Sequence, residues 1–236
     1  MASSREAGLR DQAAGLRRLM SSPLSALCTV LSADGRERKP ALVKRLATSM
    51  ARRGHPVMVL DAANTVSTDL ASRPSLFDVA QGRAALADAC VTNGDGIAHC
   101  RLGAGGSSEL ASGSDELAAL AALLQQLAAE GVRLLVDTEL DADGQLPLSM
   151  LADGDIVVQL SGSAAAIRDA YDMLRALKSL CGRGTVSLLV TDVDPIRARH
   201  VHANLFHAAS RYLALPVRSI TAPPATAPTT SGNRHV

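Results

Sequence analysis

The stretch "SADGRERKPALVKRLA", Ser32 to Ala47, places Gly35 and Lys39 in a turn between an apolar run and a helical pattern. A glycine and a lysine at that point are two parts of a phosphate-binding loop. In such a loop, backbone N–H groups curl round the anion, the lysine meets the terminal phosphates, and the helix offers its N-terminal dipole. The other parts are missing. Arg36 and Arg38 stand where further glycines are needed, and their side chains disfavour positive φ. Pro40 stands where a Ser or Thr hydroxyl would hold Mg²⁺, and it has neither hydroxyl nor N–H. Proline is still a good first helical residue, so strand, turn and helix can persist without the chemistry. Residual anion attraction by Arg38 and Lys39 at the helix start is all that this turn retains.

The elements that must position this turn follow from periodicity. "LSALCTVLS" (Leu24 to Ser32) is a short apolar strand, and the helix after the turn is predicted from about Pro40 to Arg53. "HPVMVLDAA" and "IAHCRLGAGG" give two more strands, the first ending on Asp61. Asp115 to Glu130 is a helix with Leu at 117, 120, 124 and 127. "VRLLVDTE", "DIVVQLSGS" and "TVSLLVTDVD" are near-continuous apolar runs, the pattern of strands buried on both faces. Helices are predicted around Ala164 to Cys181 and Pro195 to Leu213. Six or seven strands separated by helices predict an α/β fold: a doubly wound, mostly parallel sheet with helices on both faces.

Composition bounds the rest. The chain has 236 residues, 47% hydrophobic and 20% charged, with a formal net charge of +1. That suffices for one well-buried core and argues against general coating of nucleic acid. With no Trp, two Tyr and two Phe, Leu, Val and Ala must fill the core. The four cysteines (Cys28, Cys90, Cys100, Cys181) have no CxxC spacing, so reduced thiols are expected, with Cys90 and Cys100 as ordinary buried ones. No apolar signal core opens the chain and no run of about eighteen apolar residues exists, which predicts a cytoplasmic, non-spanning protein. His200 and His207 share a helical face while His202 points away, so no metal site is expected.

Both ends differ from the middle. Leu9, Ala13, Leu16 and Met20 form one apolar stripe on a helix of about five turns, which is marginal alone and needs a groove. "SSP" (Ser21 to Pro23) sets it off as a linker. "TAPPATAPTTSGNRHV" after Ile220 is Pro/Thr/Ala-rich and without periodicity. The expected organisation is an N-terminal helix and linker (1–23), an α/β domain (24–220) and a disordered tail (221–236).

The run from Leu24 through "VMVLDAA" to "VRLLVDTE" resembles the MinD/ParA family of deviant P-loop ATPases. That family carries K-G-G-x-G-K-[ST] in this turn, and "ADGRERKP" (Ala33 to Pro40) aligns with it without a gap. The resemblance puts the family's first, signature lysine on Asp34, its glycines on Gly35, Arg36 and Arg38, and its second lysine on Lys39. Its D-x-D falls on Asp61 and Ala63, so the second, catalytic aspartate is lost. Its D-[TS]-x-x-G switch falls on "DTELD", keeping Asp137 and Thr138 but putting Asp141 at the glycine. Its adenine-reading Asn falls on Asp192, and its helical spacing recurs in "AAIRDAYDMLRALK" (Ala165 to Lys178). The resemblance thus implies a degenerate nucleotide site at Gly35, Arg38, Lys39, Asp61 and Asp137. No catalytic residue, cofactor or metal is expected, and the chain should be a monomer or an ATP-independent dimer. The alternative that the family implies is an active, ATP-dependent dimerising ATPase using ATP and Mg²⁺ in flagellar or cell-pole positioning.

"DQAAGLR", Asp11 to Arg17, matches the D-Q-A-x-x-L-R motif of the flagellar-number regulators, the FlhG/FleN branch of MinD-like proteins. Asp11, Gln12, Ala13, Leu16 and Arg17 meet every fixed position. In that branch the motif helix docks on the flagellar signal-recognition-type GTPase FlhF and stimulates GTP hydrolysis. The resemblance, over about residues 8 to 220, implies a regulator of flagellar number and biosynthesis recruited to the cell pole or flagellar base. Flagellar transcription regulators or switch-complex proteins are its further implied partners. The family usually ends in a membrane-binding amphipathic helix; "PPATAPTTSGNRHV" has no apolar face, so no stable membrane anchor is expected.

Overall fold

The computed structural model describes residues 26–35, 37–63, 68–103, 114–180 and 184–221. The predicted N-terminal helix and most of the predicted tail lie outside these residues. Eight strands form one sheet in the order β3-β4-β2-β5-β1-β6-β7-β8. They are β1 (Leu27–Ser32), β2 (Val57–Asp61), β3 (Cys90–Thr92), β4 (Ala98–Arg101), β5 (Arg133–Asp137), β6 (Asp155–Ser161), β7 (Thr185–Thr191) and β8 (Val217–Thr221). Every pairing is parallel except that of β3 with β4. The doubly wound, mostly parallel α/β sheet is therefore present.

The central strand β1 is buried along its whole length, which is why it reads as a continuous apolar run. Helix α1 (Lys39–Ala51) follows it and turns Leu42, Val43, Leu46, Ala47 and Met50 inward at helical spacing. It packs over β1, β2 and β5. Three short helices come next, α2 (Thr68–Ala71), α3 (Leu76–Ala80) and α4 (Leu86–Ala89). The long helices α5 (Ser114–Ala129), α6 (Ala164–Leu180) and α7 (Pro195–Ala208) share the other face of the sheet. Their buried residues, including Leu120, Leu124, Leu174, Leu177, Val201 and Leu205, form one cluster with Leu31, Leu60, Val136 and Val158. Crossover direction explains this division. The chain moves one way from β1 to β2 and the other way from β6 to β8, so right-handed crossovers put α1 and α6–α7 on opposite faces.

Two strands had no clear signature in the sequence: the three-residue β3, and β8, whose sequence VRSIT neither alternates nor runs apolar. The first brings a correction. Cys90 and Cys100, expected as reduced thiols, are joined in a disulfide with Cα atoms 4.6 Å apart. They stand directly opposite each other in the antiparallel β3–β4 pair, and that spacing brings two cysteine side chains within bonding reach. Only the pairing of β3 with β4 places the two cysteines together. Cys28 is a free, buried thiol as expected, and burial pushes it up to about 12.

Candidate functional site

The C-terminal ends of parallel strands are where α/β sheets bind ligands, and the candidate residues gather there. The turn after β1 starts with Ser32, whose Oγ accepts the Asp34 N–H at 3.2 Å. Gly35 takes φ +77°, a left-handed backbone that glycine adopts without strain. Arg38 caps α1 without a side-chain hydrogen bond, and Pro40 sits in the first turn, where no N–H partner is needed.

Lys39 is the first residue of α1 and is fully buried. Its Nζ donates to Thr138 O at 2.7 Å and lies 2.7 Å from Asp137 Oδ1 and 3.7 Å from Glu139 Oε1. An ammonium has three N–H donors, and here three oxygens from the end of β5 and the two residues after it surround it. Asp137 is buried too, and stands beside Asp61 in the β2–β5 register. Burial pushes the Asp137 carboxyl above its ordinary range; Lys39 opposes that rise, while the charges of Asp61 and Glu139 add to it. Asp61 also accepts the Ala63 N–H at 2.9 Å, which shapes the turn leaving β2.

Two other charges of the turn, Asp34 and Arg38, are drawn to the opposite side. Ser161 Oγ, at the end of β6, donates to Asp34 Oδ1 at 2.6 Å. The Arg38 guanidinium pairs with Asp192, which follows β7 and holds a left-handed φ of 60°. Beside Gly35 opens a cleft of about 530 Å³ with an acidic rim of Glu139, Asp141, Asp169 and Asp172.

Of the predicted nucleotide-site residues, Lys39, Asp61 and Asp137 come together at the ends of β1, β2 and β5. Gly35 lies in the same turn, and Arg38 faces Asp192 instead. Asp11, Gln12, Ala13, Leu16, Arg17 and Arg36 lie outside the described residues. Two partners were not singled out from the sequence. Ser161 ends an apolar strand with a hydroxyl, and Glu139 follows Asp137 by two residues. Only the tertiary fold shows that they meet Asp34 and Lys39.

Around the turn, Arg38 and Lys39 face five carboxylates: Asp34, Asp61, Asp137, Glu139 and Asp192. Among the described residues no group of three or more His, Cys, Asp or Glu has metal-binding geometry, and no helix is long and apolar enough to cross a membrane.

No family model matches the chain. No curated protein matches it either. Solved structures do resemble it in fold. A ParA family ATPase from Chlorobium tepidum TLS is 13% identical, with a TM-score of 0.58 over 86% of this chain and 85% of that one. The MinD cell division protein of Aquifex aeolicus is 16% identical, with a TM-score of 0.54 over 84% and 83%. Cobyrinic acid a,c-diamide synthase from Mycobacterium smegmatis with bound ADP and magnesium is 21% identical, with a TM-score of 0.57 over 84% and 86%. The chain therefore has the P-loop NTPase-type fold of ParA and MinD proteins.

Proposed function

We propose that this chain regulates flagellar number or placement as a MinD-like scaffold without ATPase chemistry, presenting its N-terminal D-Q-A-x-x-L-R segment to the GTPase FlhF and speeding GTP hydrolysis. The observation that carries the scaffold half is the state of Lys39. To serve a nucleotide, the Lys39 ammonium would have to exchange its present oxygens for phosphate. Lys39 is fully buried and held by Asp137, Glu139 and Thr138 O. Magnesium-nucleotide does not fit the other residues either: Pro40 offers no hydroxyl, Ala63 no carboxylate, and Asp34 adds negative charge where phosphates would lie. The fold neighbours named for ATPase activity, or for bound ADP and magnesium, share the architecture of this chain; we infer that it has kept the scaffold and lost that use.

The activator half rests on Asp11, Gln12, Ala13, Leu16 and Arg17. Gln12 is the polar group for the partner's site, Asp11 and Arg17 are anchoring charges, and Leu16 is the apolar contact. A polar group that orients water or stabilises charge at the γ-phosphate speeds hydrolysis. Charged groups supplied in trans reach about 10³–10⁵-fold, and an uncharged Gln gives much less. The test is a peptide of residues 1 to 23 added to FlhF. It should raise the GTPase rate, Gln12→Ala should remove most of the gain, and Leu16→Ala should weaken docking. An unchanged rate at saturating peptide would defeat the activator reading.

A further inference from the structure

The stretch from Pro195 to Leu213 has an unusual surface. It contains Arg197, Arg199, Arg211 and three histidines, and no Asp or Glu. The large hydrophobic side chains left exposed among the described residues, Ile196, Phe206 and Tyr212, all lie here too. α7 buries Ala198, Val201 and Leu205, so its other side faces solvent. A π-helical turn, Ala209–Leu213, continues it and buries Ala209 and Leu213. Arg211 and Tyr212 fall between those two and are exposed. Tyr212 is 65% exposed, and the Arg211 guanidinium lies 5.6 Å from the centre of its ring. Tyrosine and arginine set side by side in this way are the residue types that anchor protein interfaces.

The complement of that pair is on the same chain. The cleft beside Gly35 has Glu139, Asp141, Asp169 and Asp172 at its rim, and Leu140 and Met173 line it as well. Asp169 and Asp172 have no ion pair among the described residues. At about 530 Å³ the cleft falls in the roughly 300–1,000 Å³ range of cavities that take an organic group. A phenol ring beside Met173 gains a sulfur–aromatic contact, and a guanidinium next to it meets carboxylates in forked, charge-assisted hydrogen bonds. One chain cannot join its own two surfaces. The cleft gathers residues that follow the C-terminal ends of β1, β5 and β6, whereas the π-helical turn leads into the N-terminal end of β8, which runs parallel to β7. Those ends of the sheet are about 23 Å apart along a seven-residue strand such as β7.

We propose that the protein associates with itself head to tail, Tyr212 of one copy entering the acidic cleft of the next and Arg211 pairing with Asp169 and Asp172 there. Contact between two different patches leaves one of each unused at the ends, so association continues into a chain or closes into a ring. The cleft adjoins the turn after β1, so each contact also covers Gly35 of the next copy. The assembly uses neither a nucleotide nor the D-Q-A-x-x-L-R segment, and so stands apart from the function proposed above.

Sedimentation velocity on the full-length protein, without nucleotide, tests this. At low ionic strength the weight-average mass should rise with protein concentration. At high ionic strength it should fall back towards that of a monomer, because exposed charge pairs are screened. The double variants Arg211→Glu/Tyr212→Ala and Asp169→Lys/Asp172→Lys should each weaken association roughly tenfold or more. All four side chains are exposed, so both variants should keep the circular dichroism of the unaltered protein. Each variant retains one surface intact, so the two mixed together should form a one-to-one pair and grow no further. An unaltered protein that stays monomeric at every concentration at low ionic strength would overturn the proposal. So would an assembly that neither variant weakens, or two variants that fail to pair when mixed.

Discussion

Ser161 and Asp34, 127 positions apart, meet across the sheet: the serine hydroxyl at the end of β6 donates to the aspartate in the turn after β1 at 2.6 Å. The carboxylate is thereby tied down within the turn between β1 and α1. Asp34 Oδ2 is buried and finds no hydrogen-bond partner among the described residues.

Mg-ATP should therefore give no binding heat in a calorimetric titration. Asp34→Lys alone should not restore it, because Lys39 stays paired with Asp137. Light scattering should give the same mass with and without ATP. A micromolar dissociation constant for the unaltered protein would reverse this conclusion and favour the active dimerising ATPase.

Lys39→Met should destabilise the fold rather than merely alter a ligand site. It removes the cation but leaves Asp137 buried, a loss of about 3–5 kcal/mol when one partner of a buried pair is deleted. Burial has already raised Asp137, so without Lys39 it should take up a proton more readily still. The variant's deficit should then shrink as the pH is lowered. Urea unfolding at two pH values measures both effects.

Asp78 closes the start of α3 by a capping box with Ser75: Ser75 N–H donates to Asp78 Oδ2 at 2.9 Å, and Asp78 N–H to Ser75 Oγ at 3.3 Å. Hydrogen bonds from Ser75, with help from Arg83, hold this carboxyl down at about 2. A folded-state value below the unfolded one means stability that is fully present above about pH 4. It is lost as the pH falls from there through 2. Asp78→Asn should cost about 0.5–2 kcal/mol at neutral pH, and the difference from wild type should close at about pH 2 in thermal melts.

The Cys90–Cys100 bond closes a short loop of sequence separation 10. By loop-closure entropy, a crosslink of that size contributes about 3 kcal/mol. Cys90→Ser should lower the melting temperature, and added dithiothreitol should lower that of the unaltered protein but not of the variant. Equal melting with and without reductant would show that the bond contributes nothing.

Gly154→Ala should be poorly tolerated. A Cβ there would stand 2.5 Å from Leu27 O, where β6 begins alongside β1. Backbone cannot give way as a flexible side chain does, and overpacking of this kind costs about 1–3 kcal/mol. Urea midpoints of the two proteins measure it.

The sheet was legible because β1, β5, β6 and β7 are buried on both faces and so are mostly apolar, with only Thr29, Gln159 and Ser187 polar in mid-strand. β8 was not legible: in VRSIT only Val217 and Ile220 are apolar, which fits neither a strict alternation nor a continuous apolar run. The residue types of the turn after β1 predict a defective phosphate loop, and the Mg-ATP titration above tests that reading. What the types could not convey was where each charge goes. Lys39 turns inward to Asp137 and Glu139, and Arg38 turns outward to Asp192, although the two are neighbours in sequence. Those choices depend on strand ends about a hundred residues or more away. The disulfide was hidden for the same reason, since only the β3–β4 register sets Cys90 against Cys100.

The place of β1 in the sheet also bears on how the protein is made. This strand leaves the ribosome early, yet its two neighbours are β5 and β6, the latter ending at Ser161. At usual elongation rates, the interval between synthesis of β1 and of the end of β6 is about 7–27 s. Until β5 is made, Leu27, Val30 and Leu31 have no neighbouring strand to pair with and Lys39 lacks Asp137 and Glu139; β1 gains its second neighbour only with β6. Nascent-chain protection in the cell is thus a requirement set by strand order, and early truncations of this chain should be chaperone-bound rather than partly folded.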